Sequence, residues 1–155
     1  MCSSDLRLLA QNPAIADKLR SGPEQIPQFI EEVVRLEPPF KFHYRSVRQS
    51  CELGGMELEP GDRLMLLWAA ANRDPEIFAD PETLRLDRRY PKRHMSFGRG
   101  AHFCIGAPLA RLEARVIFEE VIARTRHIAL STSSPPVHAR SIFVRRLTSL
   151  QVEVS

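Results

Sequence analysis

The 155-residue sequence carries 22 Lys and Arg against 19 Asp and Glu, and 43% of its residues are hydrophobic. That balance excludes a disordered chain, a collagen and a coiled coil, and a net charge of +3 is too small to argue for nucleic acid. A chain this long buries roughly two thirds of its unfolded surface, so one domain with a real core is expected. The longest apolar run, Leu64 to Ala71, falls short of the ~18 residues that a membrane span needs. The start, MCSSDLRLLAQ, has neither the basic nor the apolar region of a secretion signal, so a cytoplasmic protein without membrane contact is expected. Three cysteines, Cys2, Cys51 and Cys104, make an odd count with no CxxC pair, which points to reduced thiols.

In chain order, Asn12 caps and Pro13 opens a short helix that Ser21-Gly22 ends. From Ile26 to Leu36 the residues Ile26, Phe29, Ile30, Val33 and Val34 recur at three and four, and Pro38-Pro39 forbids continuation. This predicts a second, amphipathic helix. Strand signals follow between Phe40 and Trp68: FHYRSV, then CEL and MEL across Gly54-Gly55, then RLMLLW after the turn Glu59-Pro60-Gly61-Asp62. From Ala71 to Met95 there is almost no apolar period, and so long an irregular stretch in a compact domain is usually functional. Within it Arg85, Arg88, Arg89, Lys92 and Arg93 crowd nine positions, as a solvated loop face or as a docking patch for an acidic protein. A Gly-rich loop from Phe97 to Gly106 then feeds the helix APLARLEARVIFEEVIART, where Leu109, Leu112, Val116, Ile117 and Val121 keep helical spacing.

The loop carries the chemistry. A Cys just before a helix meets unpaired N–H groups and the positive end of the helix dipole, which favour an anionic sulfur that ligates metal or attacks carbon. Gly98, Gly100 and Gly106 let backbone pass close to a flat, bulky ligand, Phe97 can stack on it and His102 can meet an anionic group. A planar tetrapyrrole with carboxylate arms satisfies all of these demands.

The stretch FGRGAHFCIG resembles the haem-binding loop of the cytochrome P450 family, Phe-Gly-x-Gly-x-(His or Arg)-x-Cys-x-Gly, with every fixed position occupied. The resemblance implies Cys104 as the axial thiolate on haem iron, His102 at a propionate and Phe97 shielding the sulfur; such a ligand pushes electron density toward O–O cleavage. Glu32-Val33-Val34-Arg35 resembles the family's Glu-x-x-Arg helix, and in FADPETLRLDRR Arg88 takes the place of the third member of a Glu-Arg-Arg network, with Arg89 as the alternative. Taken alone, Glu32 and Arg35 read as an ordinary surface pair worth a few tenths of a kcal/mol. Leu84 and Arg85 depart from the family pattern, which usually has an aromatic and an acid there. Arg45 matches a strand arginine that pairs with a propionate, and Phe40 and Phe42, with Ile142 and Phe143 in the strand SIFV near the end, fall in stretches that line the family's substrate pocket. His43 reads as a structural histidine.

The implied fold is α+β, mainly α: the carboxy-terminal portion of a cytochrome P450, as a single partial domain over 1–155. MCSSDL is unlike the family's sequence before LLAQNPAIADKLR, so residues 1–5 are expected to be foreign to it. By the same resemblance the parent is a haem-thiolate monooxygenase with haem b, hydroxylating or epoxidising a small organic substrate. Its electrons would come from NAD(P)H through a ferredoxin docked near Arg85 to Arg93 and Arg111 or Arg115, and the full-length protein would be a monomer. The helix with the oxygen-activating acid and threonine would lie in the absent portion, so the chain alone is expected to be inactive. Peroxide-driven chemistry or isomerisation within the family, a non-catalytic haem-thiolate sensor or carrier, and a zinc module on His94, His102, Cys104 and Cys51 are the alternatives, the last with none of the usual ligand spacings.

Overall fold

The computed structural model describes residues 2–155; Met1, within the span read as foreign, lies outside the described residues. Helices α1 (Cys2–Gln11) and α2 (Pro13–Ser21) meet at Asn12. Pro13 opens α2 at no cost because the N–H it lacks would be unpaired in a first turn anyway. The Asn12 side chain does not cap α2; its Nδ2 donates to Leu8 O at 2.7 Å and closes α1 instead. No cap or apolar spacing before Asn12 predicts a helix. Here α1 forms with Leu9 and Ala10 buried, in contact with α2 and α3 (Ile26–Leu36).

Helix α3 is the centre of the molecule. Its periodic residues Ile26, Phe29, Ile30, Val33 and Val34 are all buried, and so are Glu31, Glu32 and Arg35 on its other sides. Phe29 sets its ring edge-on against Phe118 of α5 (Ala107–Arg124), with centroids 5.3 Å apart. Burial of a side chain of this size stabilises by roughly 1.5–3 kcal/mol. On α5 the buried stripe is Ala107, Ala114, Phe118 and Ile122, whereas Leu109, Leu112, Val116 and Ile117 of the sequence pattern are exposed. The helix is apolar on more than one side, and periodicity alone does not say which side meets α3.

Among the described residues, four small antiparallel pairs flank the helices. Strand β1 (His43–Ser46) is followed by the hairpin of β2 (Cys51–Leu53) and β3 (Met56–Leu58), and β4 (Arg63–Leu66) returns to pair with β1. Gly54 and Gly55 turn the hairpin with φ of 61° and 79°, the left-handed pair a two-residue turn requires. The strand expected to reach Trp68 stops at Leu66, and Trp68 opens a single helical turn, α4 (Trp68–Ala71). Near the end, β5 (Ile128–Leu130) pairs with β8 (Val152–Val154), and β6 (Val137–His138) with β7 (Leu147–Ser149). The stretch Ser141 to Val144, expected as a strand, is a bend with one bridge, Val144 to Phe40. Ser141 Oγ accepts the N–H groups of Phe143 and Val144 at 3.2 and 3.0 Å, diverting them from a ladder. No helix among the described residues is long and apolar enough to cross a membrane.

One group fits this packing badly. Asp5, in the first turn of α1, is 1% exposed, and neither carboxyl oxygen has a hydrogen-bond partner. Burial pushes its carboxyl from 3.8 up to about 7. A folded value above the unfolded one means that stability is full below pH 3.8 and falls as pH rises toward 7. Asp5→Ala is therefore expected to raise stability at neutral pH, by up to about 4 kcal/mol, and to change little at pH 3. Urea unfolding at the two pH values checks this, and an equal effect at both refutes it.

Candidate functional site

The loop around Cys104 folds on itself. Phe97 O accepts the Cys104 N–H at 2.8 Å, Met95 O accepts the Gly98 N–H at 2.9 Å, and Cys104 O accepts the Ala107 N–H at 3.1 Å as α5 begins. Gly98 and Gly100 adopt φ of 71° and 70°, which side chains resist, so these two glycines are required by backbone geometry. Crowding is not their reason, since a Cβ on Gly100 would meet nothing within 4 Å. A Cβ on Gly106, whose φ is ordinary, would begin 3.8 Å from Cys104 Sγ. Cys104 is exposed and opens on a cavity of about 560 Å³.

That cavity brings together Phe97, Gly98, His102 and Cys104 from the loop, Phe40 and His43 after α3, Arg45 on β1, and Trp68 at the start of α4. No carboxylate pairs with Arg45 or His102 among the described residues. Of the residues expected at a substrate pocket, only Phe40 lines it. Phe42 and Phe143 stack behind: Phe143 lies 5.1 Å from Phe40 and 5.4 Å from Phe42 between ring centroids. Ile142 is 82% exposed, carried outward by the bend at Ser141. His43 accepts the Trp68 indole N–H at Nδ1 over 2.7 Å, so it is a bonded structural residue that also lines the cavity. Trp68 was not legible as a site residue, because it closes a run of apolar residues that reads as strand.

Beneath the loop, Glu32 and Arg35 are both fully buried. Glu32 accepts Arg35 Nε at 2.7 Å and a second guanidinium N–H at 3.0 Å, then Arg88 Nε at 2.8 Å and the Arg85 backbone N–H at 3.0 Å. Arg35 also donates to the carbonyls of Asn72, Pro81 and Thr83, and Arg88 to those of Ala79, Asp80 and Thr83. Phe78 lies under both guanidinium groups. Arg88 therefore reaches Glu32, whereas Arg89 lies over Tyr90. Asn72, absent from the sequence reading, is fully buried and joins Arg35 O, Ser96 Oγ and the Met95 N–H.

The basic run of the sequence divides here. Arg85 pairs with Asp80 and Asp87 and Arg88 turns inward, leaving Arg89, Lys92 and Arg93 without a carboxylate partner among the described residues. Arg111 and Arg115, the other candidates for docking, pair with Glu31 and Glu119. His94, a member of the zinc alternative, is buried and bonded to Glu31, and Cys51 is exposed on the β2–β3 hairpin.

The family model for cytochrome P450 matches residues 6–154. The chain belongs to the cytochrome P450 family. Cytochrome P450 144 of Mycobacterium tuberculosis is 46% identical over 154 residues, covering 99% of this chain and 35% of that relative. The substrate-free cytochrome P450 CYP150A6 of Mycobacterium marinum superposes with a TM-score of 0.95 at 36% identity, covering 99% of this chain and 40% of that one. CYP109E1 of Bacillus megaterium, solved in complex with corticosterone, superposes with a TM-score of 0.93 at 37% identity, covering 97% and 40%. The mixture of helices and small sheets is thus a part of the cytochrome P450 fold, and the chain spans about a third of the length of this curated relative. The residues present fit the haem that the family implies: an open thiol, apolar and aromatic walls, and an arginine and a histidine without carboxylate partners among the described residues suit, at one cavity, a flat apolar ring with carboxylate arms.

Removing the buried carboxylate strands two arginines. Glu32→Ala is expected to cost about 3–5 kcal/mol, clearly more than Arg85→Ala on the exposed loop face, where water screens the ion pairs. Denaturant midpoints of the two variants compare them directly.

Proposed function

We propose that this chain is the haem-ligating portion of a haem-thiolate monooxygenase, with haem b held by Cys104. The single observation that carries the reading is the exposed Cys104 at a cavity shared with Arg45 and His102, in a chain of this family. Bound haem supplies oxygen activation and the transfer of one oxygen atom to a small organic substrate, by hydroxylation or epoxidation.

This chain's own residues do the rest. Cys104 Sγ is the ligand atom, kept in register by the Cys104 N–H bond to Phe97 O. Arg45 and His102 bind the carboxylate arms, and Phe40, Phe97 and Trp68 exclude water from the ring faces. Glu32, Arg35 and Arg88 hold the loop in place and orient rather than react. Arg89, Lys92 and Arg93, with Arg99 within the ligand loop, offer a positive surface to an acidic ferredoxin that carries electrons from NAD(P)H. For the chain alone we read haem binding without turnover, since it spans 35% of a full relative, and Leu109, Leu112 and Val116 leave an apolar side of α5 at solvent. The full-length protein is read as a cytoplasmic monomer.

Trp68 is the single tryptophan and lines the cavity, so haem titration is expected to quench its fluorescence at one equivalent. In Cys104→Ser the reduced CO complex is expected to lose its red-shifted absorption band, because only a thiolate ligand produces it; a retained band rejects Cys104 as the ligand. Changing Lys92 and Arg93 together to Glu is expected to slow reduction by ferredoxin about tenfold or more at low salt, with the difference shrinking as salt rises. Stopped-flow reduction across a salt series measures it.

A further inference from the structure

Glu31, next to the buried Glu32, forms a second network that the Glu-Arg-Arg reading leaves unused. Its Oε1 accepts Arg111 Nε at 2.6 Å, and its Oε2 accepts another Arg111 N–H at 3.0 Å. Oε2 also meets His94 Nε2 at 2.8 Å, while His94 Nδ1 accepts the Ser96 N–H at 3.3 Å. Burial alone would push the Glu31 carboxyl up, but hydrogen bonds from His94 and Arg111 and the Arg111 charge overcome this and hold it at about 2. Glu31 is thus an acceptor, and His94 bridges it to the Ser96 N–H.

Both partners of Glu31 end on one ring. The Arg111 guanidinium lies 4.5 Å from the centroid of Phe97, and the His94 ring lies 5.8 Å from it. Phe97 in turn accepts the Cys104 N–H through its carbonyl. Three distant stretches, α3, the end of the irregular stretch and the start of α5, are therefore linked at Phe97, whose carbonyl holds the Cys104 backbone.

We infer that Glu31, His94 and Arg111 are positioning residues for the Cys104 thiolate, clamping Phe97 and setting a compensated charge pair that tunes the iron's reduction potential. This rests on the haem-thiolate reading above. Charges near a metal act through space, and groups that hold a ligand's neighbour tune the metal without touching it. Removing the positive member should lower the potential; removing the negative one should raise it.

The experiment is an equilibrium redox titration of the haem-loaded protein with small-molecule dyes, so that no docking partner enters, with spectra of the reduced CO complex beside it. The expected result is a shift to lower potential in Arg111→Met, a shift to higher potential in Glu31→Gln, and recovery toward the parent value in Arg111→Lys. A network that served only stability would change haem occupancy or unfolding, and would leave the potential of the loaded fraction where it was. Unchanged potentials, or shifts of the same sign in both variants, overturn the inference. If Glu31→Gln does not fold, Arg111→Met against Arg111→Lys decides: a drop restored by lysine supports the role, and no drop overturns it. Failure of the parent to take up haem rejects the haem reading itself, and the positioning role falls with it.

Discussion

A carboxylate buried on α3 is the constraint on which the rest of the structure depends. Glu32 is shielded from water, so its charge must be met inside the protein, and Arg35, Arg88 and the Arg85 N–H meet it. The two arginines then have N–H groups left over, and these take up the carbonyls of a stretch that has no helix or strand of its own. An irregular segment without a hydrogen-bond ladder is thereby held from within. Apolar side chains in place of such a network would leave those carbonyls unpaired, so its contribution is geometric.

Because that stretch leads straight into the Gly-rich loop, its position sets where Cys104 sits. Asn72 links the end of α3 to Met95 and Ser96, a few residues before Phe97, and Phe97 O receives the Cys104 N–H. Adjacent glutamates on α3 divide the work: Glu32 holds the stretch at Arg85 and Arg88, and Glu31 holds its end together with α5. The cavity wall opposite the loop is built from β1, α4 and the residues after α3, stiffened by the aromatic group of Phe40, Phe42 and Phe143.

Charge is sorted by the same logic. Arginines close together in the chain have opposite fates, Arg88 paired inward and Arg89 turned to the surface against Tyr90. A charge run read from sequence is therefore an upper bound on the surface charge offered to a partner. Arg85, Arg111 and Arg115 are paired here, and what remains near the ligand loop is Arg89, Lys92, Arg93 and Arg99.

Several features were legible because they are local. The α3 helix follows from apolar spacing closed by Pro38-Pro39, the β2–β3 hairpin from Gly54-Gly55, and the ligand loop from a ten-residue pattern whose glycines need positive φ at Gly98 and Gly100. Other features were not. Helix α1 lacks a strong start signal, Ser141 bends a stretch that reads as strand, and α5 turns its small residues and Phe118 inward while its leucines face out. The sequence by itself pointed to Cys104 as the candidate ligand, by family resemblance, and to the segments whose signals are local: α3, the β2–β3 hairpin and the Gly-rich loop. Only the tertiary structure decided that Arg88 and not Arg89 closes the Glu32 network, that Trp68 lines the cavity, and that His94 and Arg111 share Glu31. The physical reason is range: His94 lies 63 residues and Arg111 80 residues from Glu31 in the chain, and pairings so distant carry no periodicity or turn signal that sequence reading can use.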